Sequence, residues 1–275
     1  MKVALVTDSN AQMPVVLVDR YRVDVVPLIV TVDGEEFHER VDLSDDDFYT
    51  RLAGGAAVAT AAPAPGAFLM AYERAAEVGA EAVLSIHVGS NTSATLNSAT
   101  IAAELSRIPV TTVDTETASF AVGCCVWAAG EVLGRGGSLD EARQAALQVA
   151  ASVGNVFIVG ALGLARAGGR LAADADSGEG APVLALEGGQ MRPLARVRSD
   201  ADAVETMATY IERHAGGRAQ RIGVGDARTD DLAHALITRL EQGGCVGELV
   251  RYAIGPSVGA HTGPGTVGAV FFPVG

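Results

Sequence analysis

A chain of 275 residues can bury one large core or two smaller ones, and two units of about 140 residues is the usual outcome. A formal net charge of −13 leaves no basic surplus to displace counterions from phosphates, which argues against nucleic acid as a partner. Hydrophobic content of 49% with 19% charged residues fits a globular chain, and the longest apolar runs, Val25–Val32 and Ala118–Leu133, are too short or too broken by Gly and Cys to span a bilayer.

In the first half, short β-type runs alternate with helical ones. Val3–Thr7 reads as a strand, followed by a capping turn at Asp8-Ser9-Asn10. Val23–Val32 reads as one longer β run that ends in the turn Asp33-Gly34. Ser44-Asp45-Asp46-Asp47 opens a helix, because the serine caps it and three carboxylates sit where the dipole favours them. Helix is expected over Gly66–Val78, strand over Ala82–Val88, helix over Ser93–Ser106, strand over Val110–Val113 and helix over Ala118–Leu133. Ser138-Leu139-Asp140-Glu141 is a capping box that starts another helix. This alternation implies an α/β fold with a mostly parallel sheet covered by helices.

The second half reads as a smaller mixed α+β unit. Val156–Ala161 is a strand, followed by a short helical piece and the loop Ala172–Gly180. Val183–Leu186 and Met191–Val197 flank Gly188-Gly189, a hairpin signal. A helix over Asp200–His214, strand Ile222–Val224, helix Asp230–Gln242, strand Glu248–Ile254 and a final run Thr266–Phe272 complete the chain. The expected domains are 1–153 and 154–275.

Three separated loops carry the candidate chemistry. The stretch Gly255-Pro256-Ser257-Val258-Gly259-Ala260-His261-Thr262-Gly263-Pro264-Gly265 holds four glycines and two prolines in eleven residues. That composition predicts no regular element, close backbone approach to a ligand, and one imidazole beside exposed N–H groups, a setting for an anion. Gly89–Thr95 follows a strand and precedes a helix, with five hydroxyl or amide side chains in seven residues. Its place beyond a strand's carboxyl end suits a ligand, although a Ser/Thr helix cap explains the same residues. Ala59–Gly66 is read as a connecting loop in which Thr60 offers a hydroxyl. Asp8 is expected to cap a helix start; a catalytic role would need a partner that the sequence does not identify.

The remaining motifs are weaker. Lys2 is the only lysine, a sign of genomic composition bias. Cys124, Cys125 and Cys245 have neither metal spacing nor a disulfide pattern and read as buried reduced thiols, so no metal is expected and the compartment is expected to be the cytoplasm. The N-terminal Met1-Lys2-Val3-Ala4-Leu5-Val6 lacks a cleavage site and reads as a strand instead of a signal peptide. Gly223-Val224-Gly225-Asp226 is a GxG without the rest of a nucleotide fingerprint, and no Walker A sequence is present.

Taken together, Thr7-Asp8-Ser9-Asn10, Val25-Val26-Pro27-Leu28, Asp33-Gly34, Asp42-Leu43-Ser44 with Phe48-Tyr49, Thr60 to Gly66, Leu84-Ser85-Ile86 through Ser93-Ala94-Thr95 with Ser98-Ala99, Gly168-Gly169-Arg170, and Gly259 to Gly265 resemble the DegV family of bacterial fatty-acid-binding proteins. The resemblance implies two domains with a ligand tunnel at their junction. It also implies a long-chain fatty acid in that tunnel as ligand, no other cofactor, and a carboxylate held by Thr60, Ser93 and His261, supported by Thr262 and loop N–H groups. It further implies a separate ATP-dependent kinase subunit as partner, which would convert the bound acid to an acyl phosphate, so that the chain has no catalysis of its own. Ala61 and Ala64 stand where the family has serines and thin the polar cradle near Thr60, Thr92 and Ala94 also depart from the family pattern, and Leu184-Ala185-Leu186-Glu187 replaces a more basic segment.

Elementary energetics favour a lipid over a short acid. Each buried methylene is worth roughly 0.8 kcal/mol, so about fifteen carbons offer on the order of 10 kcal/mol gross. Two hydroxyls and an imidazole then suffice for the carboxylate, whereas a short acid would need an arginine clamp, and none lies in these three loops. Arg166, Arg170, Arg192, Arg196 and Arg198 fall within 33 residues, and Arg170 with some neighbours is expected to form a basic face for the partner. The competing reading is a hydrolase or acyltransferase with Ser93 as nucleophile and His261 as base. Against it, no Gly-x-Ser-x-Gly elbow is present and no orienting acid for His261 can be named.

Overall fold

The computed structural model describes residues 1–160, 164, 179–187 and 190–274. It divides into two compact units, Met1–Phe48 with Ala56–Ser152, and Tyr49–Gly55 with Val153–Gly275.

In the first unit, β1 (Val3–Asp8), β2 (Val23–Val26), β6 (Ala82–His87) and β7 (Val110–Asp114) form a parallel sheet in the order β2-β1-β6-β7. Every residue of β6 is buried, as expected of a central strand covered on both faces. Helices α3 (Pro65–Glu77) and α4 (Thr95–Leu105) pack over Val6, Val26 and Val83 through Phe68, Tyr72, Ala99 and Ala102. The opposite side chains of β1 and β6 face α5 (Phe120–Gly134), which buries eleven of its residues, Trp127 among them. Helix α6 (Leu139–Ser152) packs on α5 and starts at the expected capping box: the Ser138 amide donates to Glu141 at 2.7 Å, and the Glu141 amide donates back to Ser138 Oγ at 3.3 Å.

The single β run expected over Val23–Val32 is instead two strands in two sheets. After β2 the chain turns at Pro27-Leu28, where Ser9 Oγ accepts the Leu28 amide at 2.9 Å. It then enters β3 (Ile29–Val32), which pairs antiparallel with β4 (Glu35–His38) and β5 (Val58–Ala61). Asp33 and Gly34 both have positive φ, 52° and 85°, as a tight hairpin turn between β3 and β4 requires. Helix α1 (Val15–Tyr21) packs on α5 and β2, and α2 (Asp45–Ala53) follows β4 in the chain, its residues from Tyr49 on being part of the second unit.

The second unit is built on a six-stranded sheet in the order β10-β9-β8-β13-β11-β12. Its strands are β8 (Gly154–Ile158), β9 (Ala181–Glu187), β10 (Gln190–Val197), β11 (Gln220–Asp226), β12 (Val246–Ala253) and β13 (Val267–Pro273). All pairs are antiparallel except β11 with β12. Helices α7 (Asp200–Ala215) and α8 (Asp230–Gln242) bury Met207, Ile211 and Leu236 against Val156, Ile222 and Val224. Helix α7 begins where Ser199 accepts the Asp202 amide and ends at Gly216 with φ 55°. β9 and β10 pair as the hairpin reading expects; Gly188 and Gly189 themselves lie outside the described residues.

Candidate functional site

The parallel sheet has its topological switch between β1 and β6, because the chain leaves β1 toward β2 on one side and β6 lies on the other. In open α/β sheets the crevice beyond the carboxyl ends of such strands is where ligands bind. Two loops meet this position, Asp8–Gln12 after β1 and Val88–Ala94 after β6.

The loop after β6 is tied down by its own polar groups. The Gly89 amide donates to Thr117 O at 2.8 Å, and a Cβ on Gly89 would come within 2.9 Å of the Glu116 backbone, so only glycine permits this approach. The Ser90 amide and hydroxyl both donate to Asp114, at 3.1 and 2.5 Å. Burial pushes the Asp114 carboxyl up, but the Ser90 hydroxyl and the Glu116 and Ser90 amides outweigh it and hold the group below the usual carboxylate range. Thr92 Oγ1 donates to Gly89 O at 2.8 Å.

Half-buried Ser93 stands at the end of this loop. Its Oγ accepts the Thr95 amide at 3.2 Å and lies 2.8 Å from Thr95 Oγ1. It therefore caps the start of α4, since the formal cap position, Ala94, offers no side-chain bond. A serine oxygen has two lone pairs and one proton, so with Thr95 as donor in both bonds the Ser93 O–H can point at an anionic oxygen. Thr60 is not in a loop: it lies on edge strand β5, opposite Val30, half-buried on the same side as Val58. The following Pro63 and Pro65 then lead into α3, with Pro65 in the first turn, where its missing N–H costs nothing.

Beneath these loops lies a fully buried polar chain that sequence reading missed. Asp8 does cap the turn after β1, accepting the Asn10 amide at 3.0 Å, yet its other oxygen accepts the Val88 amide at 3.1 Å and sits 2.9 Å from His87 Nδ1. His87 Nε2 is 2.6 Å from Ser85 Oγ, which is 2.9 Å from the Tyr72 hydroxyl. Thr7 pairs with Ile86, so the parallel register brings Asp8 beside His87, while period-two alternation puts Ser85 and His87 on one face. The order serine, histidine, aspartate is that of a hydrolytic triad, but Ser85, His87 and Asp8 are each 0% exposed and no substrate reaches the hydroxyl. Burial pushes the Tyr72 phenol up to about 12, against the lowering effect of its bond to Ser85. The legible signal was the pair of polar residues, i and i+2, inside the otherwise apolar run Ala82–Val88.

Ser9 donates to the buried carboxylate of Glu39, and Asn10 Oδ1 accepts the Ser119 amide at 2.8 Å. The Thr7-Asp8-Ser9-Asn10 motif thus fastens the ends of several elements at the switch position.

In the second unit the glycine- and proline-rich stretch corrects expectation. It contains helix α9 (Pro256–Thr262). Pro256 occupies the first turn, which needs no N–H, and Gly263, at φ 77°, ends the helix. Gly259 lies against the ring of Tyr49, whose hydroxyl donates to Ile254 O at 2.7 Å. Half-buried His261 sits in the last turn of this helix, not in an irregular loop as expected. The amides of Gly259, Gly263 and Gly265 are spent on Gly255 O, Gly259 O and Ala227 O, each at 2.8 Å. Buried Thr262 donates back to Val258 O at 3.3 Å. Thr266 Oγ1 accepts the Gly160 amide at 3.0 Å and donates to the carbonyls that close α9.

Arg166 and Arg170 lie outside the described residues. Arg196 donates to Gly180 O and Arg198 to Glu179, each at 2.8 Å. Among the described residues no group of three or more His, Cys, Asp or Glu is placed to hold a metal, and no helix is long and apolar enough to cross a membrane.

The family model "Uncharacterised protein, DegV family" matches residues 2–274. The chain belongs to the DegV family. A DegV domain-containing protein of Streptomyces coelicolor is 36% identical over 273 residues, covering 98% of this chain and 97% of that relative. The solved structure called "Fatty Acid Binding of a DegV family Protein from Thermus thermophilus" is 30% identical, with a TM-score of 0.90 and full coverage of both chains. The Bacillus subtilis structure of DegV, a fatty acid binding protein, is 25% identical with a TM-score of 0.87, again over both full chains. The DegV fold therefore extends over the whole of this sequence, and the Ser93 loop stands at the switch position of its parallel sheet.

Proposed function

We propose that this DegV-family chain is a fatty-acid carrier. It binds a long-chain fatty acid in an apolar tunnel, with the carboxylate held by Thr60, Ser93 and His261 and supported by Thr262. The observation that carries the reading is the full-length likeness, at 30% identity and a TM-score of 0.90, to a Thermus thermophilus protein whose structure was solved for fatty acid binding. The Ser93 hydroxyl at the start of α4 and the His261 ring at the end of α9 are groups able to donate to a carboxylate.

The carrier presents the acid to a separate ATP-dependent kinase subunit in the cytoplasm. There a carboxylate oxygen attacks the γ-phosphorus of ATP, ADP leaves, and an acyl phosphate forms.

Mass spectrometry of lipids extracted from the purified protein tests the reading. A long-chain fatty acid should co-purify, and Ser93→Ala and His261→Ala should each reduce its amount. Repeated preparations with no acyl chain, and no uptake of added fatty acid, would overturn it. Turnover of a short acyl ester that is lost in Ser93→Ala would point to the hydrolase instead.

A further inference from the structure

The carrier reading makes no use of the buried chain Asp8–His87–Ser85–Tyr72, although the chain ends on both helices that follow the proposed carboxylate ligands. The Tyr72 hydroxyl, besides meeting Ser85, donates to Ala99 O at 3.3 Å, so it joins α3 to α4 directly. Helix α3 begins at Pro65, just after the strand that carries Thr60, and α4 begins at Thr95, just after Ser93. At the other end, Asp8 holds the Val88 amide, from which the Ser93 loop departs.

An all-apolar interior would avoid the desolvation of these four groups, so their contribution lies in the geometry they impose. His87 suits its place because two ring nitrogens bridge a carboxylate on β1 and a hydroxyl on its own strand, while Phe68 packs edge-on against the ring at 5.0 Å. Each link fixes a different element: Asp8 belongs to β1, His87 and Ser85 to β6, Tyr72 to α3 and Ala99 to α4.

We infer that Tyr72, Ser85 and His87 are positioning residues for the ligand carboxylate, which set the spacing between Thr60 and Ser93 by locking α3 and α4 onto β1 and β6. The inference rests on the fatty-acid reading and deepens it: carboxylate affinity depends on side chains that never touch the ligand.

The test measures the dissociation constant for a fluorescent long-chain polyene fatty acid in full-length wild type, Tyr72→Phe, Ser85→Ala, Ser93→Ala and the Tyr72→Phe/Ser93→Ala double variant, with a thermal melt of each. Tyr72→Phe keeps the ring and deletes only the links to Ser85 and Ala99. It should weaken binding about fivefold, the weight of one net hydrogen bond. The double variant should bind better than the product of the single effects predicts, because Tyr72 acts through Ser93. A Tyr72→Phe protein that melts lower than wild type yet binds the probe equally well would overturn the inference while leaving the carrier reading intact. So would strictly multiplicative effects. If Ser85→Ala does not fold, Tyr72→Phe carries the test. A wild type that takes up no probe would overturn both readings.

Discussion

Replacing Gly259 by alanine asks whether the Tyr49 ring or intrinsic helix propensity governs the short helix that carries His261. A Cβ at Gly259 would lie 2.8 Å from Tyr49 Cζ and 3.0 Å from Cε1, closer than carbon atoms approach, and nearer still to the hydroxyl. Tyr49 is 3% exposed and its hydroxyl is bonded to Ile254 O, so the ring cannot swing aside without giving up that bond. Propensity alone favours alanine in a helix by about 1 kcal/mol. Overpacking costs about 1–3 kcal/mol and the lost hydrogen bond about 1 kcal/mol more. The sum is a destabilisation of about 2 kcal/mol, or a melting temperature lower by roughly 4–8 °C. Circular-dichroism melts of wild type, Gly259→Ala, Tyr49→Ala and the double variant decide the matter. Without the tyrosine ring, alanine at 259 should become neutral or stabilising. A Gly259→Ala protein at least as stable as wild type, or an undiminished loss in the double variant, would refute the reasoning.

Asp8→Ala should cost about 3 kcal/mol in urea unfolding, because it strips an acceptor from His87 Nδ1 and the Val88 and Asn10 amides at a fully buried point; a loss below about 1 kcal/mol would count against the network. Burial pushes the Cys125 thiol up to about 12 and the Cys124 thiol well above its ordinary value, so at neutral pH both should resist iodoacetamide until the protein is denatured, as mass spectrometry would show. The Ser138 amide and hydroxyl hold the Glu141 carboxyl below the usual carboxylate range. The bonded form is the ionised one, so its contribution is present above the unfolded pKa and lost as pH falls through the lowered folded value. Ser138→Ala should therefore melt below wild type at neutral pH, with a gap that narrows under strong acid. A gap independent of pH would contradict the capping box.

Much of the first unit was legible because its signals are local. The apolar run over β6, the charged start of α2 and the Ser138–Glu141 box each report their element within a single turn or strand. The break at Pro27-Leu28 was not legible, because which sheet a strand joins depends on partners far along the chain: β2 pairs with β1, and β3 with β5. The role of Asp8 was half read, since its bond to Asn10 is local and its bond to His87 spans 79 residues.

Sequence alone determined the α/β character of the chain, the capped helix starts and the family, for these rest on residue order and short-range periodicity. Tertiary structure decided that position 259 within the short helix Pro256–Thr262 calls for glycine, because Tyr49 occupies the space a side chain there would need. It also decided that Asp8 and His87 meet, because only strand pairing brings residues so distant in the chain within hydrogen-bond reach, where burial makes an unpaired polar group too costly to leave.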